Sequence, residues 1–66
     1  MEIKVNRQKQ GYSGPTLVVD LLQSLGIDPR LVVVERNLRI VPRLQLEKEP
    51  VHDGDSIEII RFVGGG

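Results

Sequence analysis

The residues best suited to chemistry lie at the carboxyl end, where an apolar strand pattern runs into Gly64-Gly65-Gly66. Glycine buries no side chain and loses more conformational freedom on ordering than any other residue, so three in a row cannot stabilise a fold. A tail without Cβ atoms is thin and can pass through a narrow channel in another protein. We therefore predict that Gly64 and Gly65 thread into a partner and that the Gly66 carboxylate is the group that reacts. The alternative is a residual linker or a frayed terminus, but tags usually bring Ser, His or a protease site.

Other side chains with chemical potential have simpler structural explanations. His52 is the only histidine, and the chain has no cysteine with which it could complete a metal site. Asp53 and Asp55 flank Gly54, and two carboxylates around a glycine are typical of a tight turn. We predict no catalytic residue, no metal site and no bound cofactor in this chain.

Arginines at positions 36, 39 and 43 are close in sequence and would suit a phosphate or an acidic partner, although charges on a hairpin are usually solvated. Over the whole chain nine basic and nine acidic residues cancel, which argues against nucleic-acid binding. Protein partners are therefore favoured.

Length also limits the function. We expect residues 1–66 to form a single domain that buries about 60% of the surface of its unfolded chain, which leaves no room for a deep pocket. A carrier, binding module or subunit is favoured over an enzyme. The apolar runs are short and no charged-then-apolar leader follows Met1, so we expect a cytoplasmic protein that does not bind membranes.

The elements that must position the tail begin with an alternating strand over residues 2–6, which places Ile3 and Val5 on one face. Residues 7–15 are polar and predict a turn followed by a weak strand or a loop, in which Tyr12 is the residue that packs. Its strand register stays open.

One main helix is predicted over residues 17–25, where leucines recur at helical spacing. Thr16 is suited to cap its start and Gly26 to end it. Val18 and Val19 lower the intrinsic helix propensity, so packing against a sheet must hold this helix.

Residues 31–34 are apolar and mostly β-branched, and we predict that they form the central strand, with the inward-facing parity undecided. Asn37 suits a turn, and residues 38–41 resume an extended pattern that Pro42 interrupts. Alternation over residues 44–47 predicts a further short or edge strand.

The last strand alternates in a way that separates two faces. Ile57 and Ile59 form a clean apolar pair, so we place them in the core, while Ile60 and Phe62 fall on the open face. Together with Val63 they predict a surface that docks a partner beside the tail. The alternative is that a neighbouring loop covers Ile60 and Phe62.

The order strand, weak strand, helix, strand, short strands, strand predicts an α+β domain of the β-grasp, or ubiquitin-like, fold. We expect a mixed sheet of four to five strands with the helix packed on one face. A right-handed crossover through the helix would place the second strand and residues 31–34 in parallel contact.

The sequence resembles the sulfur-carrier family called ThiS over nearly its whole length. The most specific matching positions are Asn37 with 40–43, then 53–55, 57–59 and 62–66. One departure is Asn6-Arg7, where the family commonly has Asn-Gly, and an Arg disfavours the positive φ of a tight hairpin turn.

The resemblance implies a reaction cycle at the carboxyl terminus. In it a ThiF-type adenylating enzyme uses ATP and Mg²⁺ to adenylate the Gly66 carboxylate, and sulfur from the persulfide of a cysteine desulfurase displaces AMP to leave a thiocarboxylate. The thiazole synthase ThiG then takes the sulfur for thiamine biosynthesis. Three alternatives stay open: a carrier like the small subunit of molybdopterin synthase, a ubiquitin-like protein modifier, and a non-covalent interaction domain.

Overall fold

The computed structural model describes residues 1–13 and 16–62. Within these ranges the chain forms one α-helix and seven strands: β1 (Glu2–Val5), β2 (Gln8–Gly11), β3 (Thr16–Leu17), α1 (Val18–Ser24), β4 (Val32–Arg36), β5 (Arg39–Val41), β6 (Pro50–Val51) and β7 (Ser56–Arg61). Two short 3-10 turns, Pro29–Leu31 and Arg43–Gln45, connect them. The predicted residues Val63 to Gly66 lie outside the described part of the chain.

Five of the strands form one mixed sheet in the order β2-β1-β7-β4-β5, and β3 and β6 form a separate two-stranded pair. In the five-stranded sheet β1 and β7 are parallel, and the other neighbours are antiparallel. With one helix against a mixed sheet, the predicted α+β, β-grasp class is confirmed.

The central strand is β7, so the prediction that residues 31–34 form it is wrong. The predicted parallel contact between the second strand and residues 31–34 is also wrong, because β4 pairs with β7 and runs antiparallel to it. The physical reason is that β1–β2 and β4–β5 are both hairpins, and each leaves one inner edge unpaired. β7 is the strand that fills the space between them.

The core lies between α1 and the inner face of the sheet. Its members are apolar side chains from the helix, from four strands of the five-stranded sheet, from β6 and from the turn after β5: Ile3, Val5, Val18, Leu21, Leu22, Val32, Val34, Val41, Leu46, Val51, Ile57 and Ile59. The inward positions predicted for β1 and β7 are confirmed, and Tyr12 packs against the same cluster. In β4 the open question of parity is settled, since Val32 and Val34 are buried and Val33 is only half-buried.

The helix is slightly shorter than predicted, covering Val18–Ser24 instead of residues 17–25. Its N-cap is Leu17 and not Thr16, because Thr16 is extended and pairs with Val51 in β3–β6. The Asp20 carboxylate accepts a hydrogen bond from the Leu17 N–H at 3.2 Å, which satisfies one donor at the helix start.

Gly26 lies directly after the C-cap Leu25 and stops the helix, as predicted. Gly26 has φ +71°, and its N–H donates to the Gln23 carbonyl at 3.0 Å while the Ile27 N–H donates to the Leu22 carbonyl at 2.9 Å. This pair of bonds is a Schellman motif, which requires a left-handed residue at the glycine position.

Two hairpin turns place non-glycine residues in the left-handed region. Asn6 and Arg7 have φ values of 49° and 70°, and Asn37 and Leu38 have 51° and 69°. Two consecutive residues with positive φ are the signature of the type I′ turn that matches strand twist. Arg7 therefore adopts the geometry that its side chain disfavours, and the departure from Asn-Gly leaves the first hairpin intact.

The strand predicted at residues 44–47 is wrong. Pro42 ends β5, and the chain then coils, with the Gln45 N–H donating to the Pro42 carbonyl at 2.8 Å. Leu44 is 90% exposed on one side of this turn, whereas Leu46 is buried in the core. Two leucines two positions apart are too short a pattern to separate a strand from a turn.

Candidate docking site at the end of β7

The start of β7 is fixed by a polar network centred on Asp55, which is only 7% exposed. Its carboxylate accepts hydrogen bonds from Arg36 Nε at 2.8 Å, from the His52 N–H at 2.7 Å and from Asn37 Nδ2 at 2.9 Å. Burial alone would raise the pKa of Asp55, but the bonds from Asn37, His52 and Arg36 outweigh it and lower the pKa. Asp55 therefore holds the β4–β5 hairpin turn against the beginning of β7.

The neighbouring turn residues Asp53 and Gly54 also hold the fold together by hydrogen bonds. Asp53 Oδ1 accepts a hydrogen bond from the Glu2 N–H at 2.7 Å, and Gly54, with φ +85°, donates its N–H to the Glu2 carbonyl at 2.7 Å. The interpretation of residues 53–55 as a tight turn is confirmed. His52 is exposed, and within the described ranges no three side chains form a metal-binding group.

The three arginines singled out in the sequence do not form one site. Arg36 bridges Asp55 and Glu49, with its Nη1 2.9 Å from Glu49 Oε2, and these bonds raise its pKa. Arg39 lies opposite Arg36 in β5 and is exposed, while Arg43 Nη2 donates to the Arg30 carbonyl at 3.0 Å. Arg36 is thus committed to an internal contact.

The carboxyl end of β7 has a different character. Ile60 is 45% exposed and Phe62 is 60% exposed, so the predicted open-face positions are confirmed and no loop of the described chain covers them. Ile60 lies opposite the half-buried Val33, and the Phe62 N–H donates to the Leu31 carbonyl at 3.3 Å. These side chains form an apolar surface directly before the tail.

Sequence reasoning missed Leu31, which was assigned to the interior strand. Leu31 is 61% exposed and lies with Phe62 beside an open groove of about 370 Å³ that also reaches the helix exit at Ile27. The overlooked signal was Asp28-Pro29, because an Asp followed by Pro favours a helical turn. Asp28 Oδ1 indeed accepts from the Arg30 N–H at 2.9 Å, which starts the 3-10 turn that carries Leu31 outward.

Asn6 was also missed as a contact to β7. Its N–H donates to the Ile57 carbonyl at 2.9 Å, and its Oδ1 accepts from the Ile59 N–H at 2.7 Å. Asn6 therefore continues the pairing of β1 by one main-chain and one side-chain bond after the strand itself has ended.

A helix on one face of a mixed five-stranded sheet, whose middle strand runs through an apolar surface into a glycine tail, defines the class of ubiquitin-like β-grasp carriers. The sequence model of the ThiS family matches residues 2–66. The chain belongs to the ThiS family, and the resemblance found in its sequence is confirmed.

Relatives agree with this assignment. The chain is 41% identical over 49 residues to the "Sulfur carrier protein ThiS" of Bacillus subtilis, covering 74% of each chain. A crystal structure of a thiamine biosynthesis protein (ThiS) from Geobacter metallireducens superposes with a TM-score of 0.87 at 32% identity, covering 100% of both chains.

A second kind of relative is longer. The chain is 44% identical over 66 residues to a "Thiazole synthase" of Paramagnetospirillum magneticum and spans 20% of that relative's length. No helix in the described part of the chain is long and apolar enough to cross a membrane.

Proposed function

We propose that this chain is a sulfur carrier for thiamine biosynthesis and that its Gly66 carboxylate carries the sulfur. The observation that supports this most directly is the match to the ThiS family over residues 2–66, which includes the glycine ending. The exposed apolar end of β7 adds to it, since this surface leads straight into the tail.

The chemistry follows from the weakness of a carboxylate as an acyl donor. A ThiF-type adenylating enzyme with ATP and Mg²⁺ joins the Gly66 carboxylate to AMP and releases pyrophosphate. A persulfide supplied by a cysteine desulfurase attacks the acyl carbon and AMP leaves, after which a thiol cleaves the S–S bond and frees the thiocarboxylate. Holding the tail inside the enzyme makes these attacks effectively intramolecular.

In this cycle the chain is a substrate and not an enzyme. Its side chains supply neither nucleophile nor general base, and it binds no cofactor of its own. Gly64 and Gly65 thread the active site, while Ile60, Phe62 and Val63 dock on the partner. ATP-dependent activation also agrees with a cytoplasmic location.

We propose thiazole synthase, ThiG, as the acceptor of the sulfur. Support comes from the two thiazole synthases that match the chain over 66 residues, at 44% and 35% identity. In those relatives a segment like this chain is part of a protein named for the sulfur-accepting step.

The test is mass spectrometry of the intact chain after incubation with a ThiF-type enzyme, ATP, Mg²⁺, a cysteine desulfurase, cysteine and a thiol reductant. We expect the mass change that replaces one terminal oxygen with sulfur, and no change when ATP is omitted. Conjugates to lysines of other proteins would favour a ubiquitin-like modifier. Sulfur transfer to a molybdopterin synthase large subunit but not to ThiG would favour the molybdopterin alternative.

A further inference from the structure

The carboxyl-terminal half of β7 has an open strand edge on the side of β1. β1 ends at Val5, and its register with β7 covers only Lys4 opposite Ser56 and Val5 opposite Ile57. The chain then turns away into β2. Beyond this point no strand of the described chain lies next to β7 on that side.

The direction of each backbone group in β7 follows from its hydrogen-bond partners. Successive residues of a strand point their N–H and C=O groups to alternate edges. Ser56 and Phe62 bond to Asn37 and Leu31 on the β4 side, so the even-numbered residues face β4. The odd-numbered residues therefore face β1, as the bond from Asn6 to the Ile57 carbonyl shows.

The hydrogen bonds along this edge show which backbone groups of β7 are paired and which are not. The Ile59 N–H is satisfied by Asn6 Oδ1 at 2.7 Å. The groups that follow on the same side are the Ile59 carbonyl and the N–H and carbonyl of Arg61, and none of them has a protein partner in the described ranges. Backbone polar groups require a partner or water, so this edge can accept an added strand.

We propose that an extended backbone segment of the adenylating enzyme pairs with Ile59–Arg61 as an added strand. It would lie next to β7 on the side of β1, beyond the point where β1 ends. This inference rests on the proposed function, because it concerns the enzyme that receives the tail. Apolar docking through Ile60 and Phe62 fixes which face meets the enzyme but allows sliding along the strand. Backbone bonds to Arg61 fix the position along the strand.

The register matters because Gly66 lies five residues beyond Arg61. An extended chain advances about 3.3 Å per residue, so five residues allow a reach of at most about 17 Å beyond Arg61. A shift of the strand pairing by two residues would move the Gly66 carboxylate by about 7 Å, away from the geometry needed for attack. The added strand would therefore act as a stop that sets how far the tail enters the enzyme.

The direct test is amide hydrogen exchange measured by NMR on the free chain and on its complex with a ThiF-type enzyme, without ATP. We expect the Arg61 amide to exchange rapidly in the free chain and at least about tenfold more slowly in the complex. The Lys9 amide is the matched control. Lys9 lies opposite Lys4 at a non-hydrogen-bonded position of the β1–β2 pair, so its N–H points away from β1, at the outer edge of the sheet. It should exchange rapidly in both samples.

A pair of variants tests the same bond functionally. Arg61→Pro removes the N–H at an edge position where the fold does not use it, and Arg61→Ala keeps the N–H while removing the side chain. We expect an unchanged thermal midpoint for both, but ATP–pyrophosphate exchange about tenfold slower for Arg61→Pro than for Arg61→Ala. If Arg61→Pro does not fold, the amide exchange decides.

An Arg61 amide that exchanges equally fast in the complex, or equal activity of folded proline and alanine variants, would overturn the inference and leave the carrier function standing. If the parent chain is not adenylated at all, the proposed function is wrong and the inference falls with it.

Discussion

The two ends of β7 differ in the contacts they make, which are polar and buried at its start and apolar and exposed at its end. At its start, Ser56 exchanges two hydrogen bonds with Asn37, at 2.8 and 2.9 Å. The buried Asp55 carboxylate accepts three more, from Arg36, Asn37 and the His52 N–H. At its end, Ile60 and Phe62 are exposed and the Phe62 N–H reaches Leu31 only at 3.3 Å. The comparison teaches that polar contacts fix the strand where it enters the sheet, while apolar side chains and open backbone remain at the end that we propose binds a partner.

The sharpest separation of the two ends comes from deleting Gly65-Gly66. These residues lie beyond the last apolar alternation, so we expect the thermal midpoint to stay nearly unchanged and ATP–pyrophosphate exchange to be abolished. Thermal unfolding and the exchange assay, both on the purified chain, check this. A truncated chain that still forms the acyl-adenylate would contradict the carrier function.

A change in the core should produce the largest loss of stability. Leu21 is fully buried in the same cluster as Ile59, so Leu21→Ala should lower the free energy of unfolding by about 2–5 kcal/mol. Urea unfolding followed by circular dichroism measures it. Leu25→Ala, at the C-cap of the same helix and 37% exposed, is the control and should cost less. Equal stability of Leu21→Ala and the parent would show that the helix packs differently.

The anchored start of β7 should respond to acid. Because the folded-state pKa of Asp55 lies below its ordinary value of 3.8, its contribution to stability is present above that value. This contribution is lost as the pH falls through the lower, folded-state pKa. We expect Asp55→Asn to lower the free energy of unfolding at neutral pH by about 1–3 kcal/mol, because a charged acceptor of three hydrogen bonds is removed.

The measurement is urea unfolding of parent and Asp55→Asn from neutral pH to pH values below 3.8, the ordinary pKa of the carboxyl group. The difference between the two proteins should shrink as the pH falls. A difference that stays constant across this range would mean that the charge of Asp55 does not stabilise the strand start.

The exposed end should show the reverse pattern. Phe62→Ala should weaken binding to a ThiF-type enzyme by about 1–3 kcal/mol, which is about five- to 160-fold, and change the free energy of unfolding by less than about 0.5 kcal/mol. Isothermal titration and urea unfolding give the two values. Leu44→Ala, 90% exposed on a different turn, should change neither. If Phe62→Ala unfolds the chain but leaves affinity per folded molecule intact, Phe62 belongs to the core.

Features that depend on the alternation of apolar residues within one strand, or on the backbone conformation of a single residue, were predictable from the sequence. The alternation that buries Ile57 and Ile59 and exposes Ile60 is of this kind, and Gly26 ends the helix because of its own left-handed conformation. The apolar surface before the tail was therefore accessible from the sequence.

Features that depend on which edges pair were not predictable. Nothing local to residues 31–34 indicates that β7, and not β4, fills the space between two hairpins. The Asn6 side chain bonds the Ile59 N–H across 53 positions of sequence, which no motif encodes. The open edge at Arg61 is a product of the same pairing and could be seen only in the folded chain.

The parallel pairing of β1 with β7 also has a consequence for folding. Contacts between residues far apart in sequence slow folding, because a long loop must close before they form. β7 follows every other described strand in the sequence, yet both hairpins require it to complete their shared sheet. During synthesis the sheet cannot close until residues 56–61 have left the ribosome. A nascent chain without β7 therefore has neither a closed sheet nor the exposed apolar surface formed by Ile60 and Phe62.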